Sequence, residues 1–120
     1  MRALPPSIAA YYNCYSPEIN DVLLVARDII LSADSQIFES IKHTAPFFIW
    51  NKRTLCYLWV AKKTQQAYIG FPEGYRMEHP LLVKGSRKRI KNLMLDEKED
   101  LPYDVIIDLL HQSMELMGTR

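Results

Sequence analysis

The chain has 120 residues, 48% of them hydrophobic and 24% charged, a length and balance that suit one folded α+β domain over residues 1–120 and argue against a disordered polymer. Fifteen basic against fourteen acidic side chains leave a net charge of +1, so whole-molecule electrostatics cannot drive strong binding to nucleic acid or to an anionic membrane. No apolar run approaches the ~20 residues that span a bilayer, and Met1-Arg2-Ala3-Leu4-Pro5-Pro6 lacks the apolar centre of a secretion signal, which predicts a cytoplasmic location.

In chain order, a Tyr-rich lead over Ser7 to Tyr15 is followed by a helix start at Ser16-Pro17-Glu18. The Ser side chain can accept from an early backbone amide, Pro suits the first helical position, and Glu complements the positive end of the dipole. Ile19, Val22, Leu23, Ala26, Ile29, Ile30 and Ala33 then recur at three- and four-residue steps, with Asn20, Asp21, Arg27 and Asp28 on the opposite face. Asp34-Ser35 ends this helix or caps a further turn to Ser40.

Phe47 to Trp50, Thr54 to Ala61 and Gln66 to Phe71 are aromatic and β-branched, and the polar turns between them have hairpin spacing. These features predict an antiparallel β-sheet meander with sequential strands as neighbours, one face covered by an N-terminal helical part and a C-terminal helix. Pro72-Glu73-Gly74 breaks the third strand, Tyr75 to Val83 reads as a connection with a short helix, and Lys88 to Met94 as a last strand. Asp100-Leu101-Pro102 starts the final helix, which carries Val105, Ile106, Leu109, Leu110, Met114 and Met117 at helical spacing. Cys14 and Cys56 are too few and too far apart for a metal framework and read as reduced packing residues.

Ile41-Lys42, Pro46-Phe47-Phe48, the meander, Gly85-Ser86-Arg87-Lys88-Arg89-Ile90-Lys91 and the terminal amphipathic helix together resemble the YdhG-like family of domains of unknown function. The resemblance runs from about Ile8 to Met117 and rests on the order and spacing of its motifs. It implies the same α+β fold, frataxin-like in shape, and, from one member described as an intracellular iron chaperone, iron as a cofactor or cargo. The chain departs from the pattern where His43 and Thr44 stand in place of the aromatic residue and Gly of many members.

The strongest local signal is the basic segment. In an extended strand Arg87, Arg89 and Lys91 would point to one face, and with Lys42 they are the candidate lining of a shallow pocket for a small anionic ligand. The competing reading is a solvated edge strand kept from aggregating by its charges. Tyr57, Trp59, Tyr68 and Phe71 offer rings for stacking, yet core packing explains them equally well, so nucleic acid ranks below a small anion or a protein partner.

Asp96, Glu97, Asp100 and Asp104 are the candidate metal ligands that an iron carrier would need, against the plainer role of acids gathered before a helix N-terminus. His43, His79 and His111 are scattered, and no phosphate loop, nucleophile elbow or zinc signature is present, so no catalytic residue is assigned. A non-enzymatic binding domain is therefore the primary expectation, an iron chaperone the alternative, and monomer and homodimer both stay open.

Overall fold

A computed structural model describes residues 3–118, so residues 1, 2, 119 and 120, the ends of the expected domain and the Met1-Arg2 of the N-terminal reading, lie outside the described residues. A short helix α1 (Pro6–Ala9) and a 3-10 turn (Tyr11–Asn13) lead into α2 (Pro17–Ser32). The helix start is as the sequence predicts, with Ser16 Oγ accepting from the Ile19 amide at 3.3 Å and Pro17 in the first helical position. Ile19, Val22, Leu23, Ala26, Ile29 and Ile30 are buried along its inner face. Among the described residues no helix is long and apolar enough to cross a membrane.

The helix does not run on to Ser40. Asp34 turns the chain, its carboxylate accepting from the Gln36 amide at 2.7 Å and its carbonyl from Ile37, and an edge strand β1 (Phe38–Lys42) follows. This strand carries Glu39 inward beside Phe48, and it overturns the polar placement of Arg27, which is only 3% exposed. Arg27 Nε donates to Glu39 at 2.6 Å, and the Tyr12 hydroxyl donates to the same carboxylate. Burial and that bond push the Tyr12 phenol well above its usual range.

β2 (Ala45–Trp50), β3 (Arg53–Val60) and β4 (Ala67–Phe71) form the expected antiparallel meander. The two-residue turns His43-Thr44, between β1 and β2, and Asn51-Lys52, between β2 and β3, each place two non-Gly residues at positive φ, the backbone that a two-residue turn of primed type requires. Thr44 is β-branched at φ 65°, where left-handed backbone costs roughly 1–2 kcal/mol and the entropy cost of a Gly only about 0.5–1 kcal/mol. Thr44→Gly is thus expected to raise the unfolding free energy by about 0.5–1 kcal/mol, and a urea midpoint no higher than wild type contradicts that account.

The sheet has six strands in the order β1-β2-β3-β4-β6-β5, with β5 (Leu82–Lys84) and β6 (Lys91–Met94). Sequential strands are neighbours except between β4 and β5. From β4 the chain passes through a 3-10 turn at Gly74–Arg76 to the far edge and returns as β6 between β4 and β5. α3 (Tyr103–Gly118) and α2 pack on one face of the sheet, closing a core with Phe48, Leu55, Cys56, Leu58, Ile69, Phe71 and Leu93. Cys56 is buried there, whereas Cys14 is exposed rather than packed.

Candidate binding site on the open sheet face

Three buried hydrophobic residues, Ala45, Ile49 and Tyr57, fall outside this core because their strands turn them to the face without helices. Cross-strand pairs share a face, so Phe47 with Tyr57, Trp59 with Tyr68, and Gly70 with Asn92 all look out from that side. A register shift between β2 and β3 sets the arrangement. Phe48 pairs with Cys56 and Ile49 with Thr54, leaving Leu55 as an extra residue, so Leu55 and Cys56 both pack inward. Thr54 and Tyr57, three positions apart, therefore serve the same outer surface instead of alternating.

The result is a hollow of about 660 Å³ floored by Phe47, Tyr57, Trp59 and Tyr68 and rimmed by His43, Thr54, Pro72, Arg87 and Ile90. The Phe47 and Tyr57 rings stack at 4.9 Å with 15° between planes, and Trp59 meets Tyr57 edge-on at 6.4 Å. The Tyr57 ring lies across Gly70, where an added Cβ would come within 2.3 Å of its Cζ, so a bare glycine lets the ring lie down. Burial raises the Tyr57 and Tyr68 phenols, and the charge of Arg87 opposes the shift in both. The two hydroxyls are neutral donors at physiological pH.

The four predicted cations do not line one pocket. The last strand begins at Lys91 rather than Lys88, because Tyr75 N donates to Arg89 O at 2.7 Å and Gly74 sits against the Lys91 backbone. That displaces Arg87 and Arg89 into the β5–β6 loop and removes the row of three charges. Arg87 lines the aromatic hollow. Arg89 is held over Tyr75, 4.5 Å from its ring centroid and 2.8 Å from its hydroxyl, and borders an adjoining groove with Arg53, Lys88 and Arg87. Lys91 pairs opposite Phe71, a core residue, and donates to Met77 O at 2.8 Å on the helical side of the sheet. Lys42 is exposed at the end of β1 and is not part of the lining.

The predicted carboxylates spread over the opposite end. Asp96 accepts from the Lys98 amide at 2.8 Å in its own turn, Asp96 and Glu97 border a hollow with Gln65 and Gln66, and Glu97 and Asp100 border another with Glu18 and Asp21. Asp104 is exposed in the first turn of α3. Among the described residues no three His, Cys, Asp or Glu side chains are grouped so as to hold a metal ion. His43 meets the Phe47 ring at 5.8 Å and has no carboxylate partner among the described residues.

Of the four rings singled out in the sequence, Tyr57, Trp59 and Tyr68 face outward and Phe71 is core. Sequence reasoning did not find Thr54 or Ile90, neither of which has a distinctive local pattern. No family model, no curated protein and no solved structure matches the chain.

Proposed function

We propose that the chain is a binding domain whose open sheet face takes a flat, negatively charged small molecule. The observation that carries this reading is the shelf of Phe47, Tyr57, Trp59 and Tyr68 beneath Arg87, which makes no ion pair among the described residues. Such a surface offers π-faces to a planar ring and a planar fork of donors to a carboxylate or phosphate. Base–aromatic stacking is worth about 1–3 kcal/mol and a hydrogen bond to a charged group about 1.5–3 kcal/mol. Together they correspond to dissociation constants from about 15 mM down to about 40 μM. The iron reading lacks a comparable convergence of carboxylates, so the ring shelf carries the assignment.

Trp59 lines the site while Trp50, the other tryptophan, packs against the core, so a Trp50→Phe background isolates the relevant fluorescence. Benzoate is expected to change Trp59 emission and to bind more tightly than benzyl alcohol. Arg87→Ala weakens benzoate about tenfold, about 1.4 kcal/mol, and Arg89→Ala changes it less than twofold. Raising salt from low to high also weakens it, because the charge lies at a solvent-exposed rim. Equal binding of benzoate and benzyl alcohol, or an Arg87→Ala protein indistinguishable from wild type, defeats the proposal.

A further inference from the structure

The two edges of the sheet differ. β5 has three residues, and a strand that short gives another chain little to pair with. β1 has five, with no Pro and no bulge, and it exposes Phe38 (58%) and Ile41 (38%). Its acidic residue, Glu39, turns inward and is matched by Arg27, so it does not guard the edge. The hairpin turn fixes which backbone groups of β1 face outward. Across a two-residue turn the flanking residues, Lys42 and Ala45, exchange both hydrogen bonds, and bonded and non-bonded pairs alternate from there. Phe38 and Ser40 are thus bonded to β2, while Glu39 and Ile41 turn their N–H and C=O groups away from it. Two observations agree. Pro46, which has no N–H to give, stands opposite Ile41. Glu39 as a residue is only partly buried although its side chain is 4% exposed, so the part that water reaches is its backbone. Among the described residues no loop or helix backbone bonds to Glu39 or Ile41.

We propose that β1 pairs antiparallel with β1 of a second copy, about a two-fold axis at Ser40, joining the two sheets into one. The strand matches itself. Glu39 and Ile41 lie on either side of Ser40, so Glu39 of each copy meets Ile41 of the other and every outward N–H and C=O finds a partner. On the open face Phe38 stands opposite the partner's Lys42, whose stem covers the ring and whose ammonium meets its π-face. Ser40 stands opposite its own copy, and no two like charges face each other. A foreign strand would have to supply a cation at the one matching position, whereas a second copy brings Lys42 to Phe38 by symmetry. Pairing over five residues belongs among the small interfaces, so the dimer is weak, with a dissociation constant on the order of 100 μM. Ser40 is the cross-strand neighbour of Phe47, so the two aromatic hollows flank the axis on one face of the joined sheet.

Sedimentation of the wild-type protein is expected to pass from monomer at about 10 μM to mostly dimer at about 1 mM. Over the same range, amide hydrogen exchange at Glu39 and Ile41 should slow about fourfold while the amides of β5 keep their rates. Ser40→Lys and Ser40→Glu each place like charges opposite one another at the axis, and each should weaken association about fivefold at low salt. An equimolar mixture of the two restores it, because a Lys then faces a Glu. A wild type that stays monomeric at about 1 mM, a dimer that Ser40→Lys leaves intact, or a mixture no better associated than its components overturns the proposal. Should either variant fail to fold, exchange of the wild-type amides decides alone, and rates at Glu39 and Ile41 that ignore concentration overturn it.

Discussion

Arg27→Met is expected to lower the unfolding free energy by about 3–5 kcal/mol, because it leaves the Glu39 carboxylate buried without its cation. Arg27 is 3% exposed and the Glu39 side chain 4%, so water cannot stand in for either partner. Tyr12 would remain as a donor to the carboxylate, but a neutral hydroxyl replaces only part of a charge-assisted bond. The arrangement joins the N-terminal 3-10 turn, α2 and edge strand β1, so its loss is felt as looser docking of that edge. Replacing both members, as Arg27→Met with Glu39→Leu, removes the stranded charge and is expected to recover most of the deficit. Urea denaturation of the wild type, Arg27→Met, Glu39→Leu and the double variant measures the coupling; an Arg27→Met loss under about 1 kcal/mol would show that the pair is solvated in solution.

Gly74→Ala is expected to cost about 2–3 kcal/mol by overpacking, and to weaken ligand binding as well. A methyl group at Gly74 would stand 2.4 Å from Lys91 N and 2.7 Å from Lys91 Cβ, and the nearest of these atoms is backbone, which cannot swing aside. Relief requires the Gly74–Arg76 turn to lift away from β6. That turn is held on several sides: Tyr75 N donates to Arg89 O, Lys91 Nζ to Met77 O, and Arg76 to both Glu73 and Leu116 O. Glu73, 4% exposed, also accepts from Arg53 at 2.9 Å. The same contacts anchor the loop that presents Arg87, so stability and benzoate affinity should fall together. A Gly74→Ala protein with wild-type denaturation and wild-type affinity would mean that the turn is free of β6.

Much of this architecture is legible in the sequence because it follows from local periodicity. The Ser16-Pro17-Glu18 start and the apolar stripe from Ile19 to Ile30 need no tertiary information, nor do the three aromatic strands and their turns. β1 is hidden because Phe38-Glu39-Ser40-Ile41-Lys42 carries an inward carboxylate that makes sense only once Arg27 is known to meet it. β5 spans only Leu82–Lys84, and the insertion of β6 between β4 and β5 is a pairing choice that local composition does not record.

The site divides in the same way. Arg87 and the rings of Tyr57, Trp59 and Tyr68 stand out by residue type, but which face they occupy depends on the Leu55 bulge, and a one-residue change of register reverses the faces. The row of Arg87, Arg89 and Lys91 assumes an extended backbone that the contact between Gly74 and Lys91 ends early.

The most direct measurement is the pair of tryptophan indole N–H signals in a ¹⁵N spectrum as benzoate is added to the wild-type protein. The Trp59 indole should move in a saturable manner while the Trp50 indole, on the helical side of the sheet, stays still. Equal movement of both indoles, or none at saturating benzoate, would contradict a ligand site on the open face.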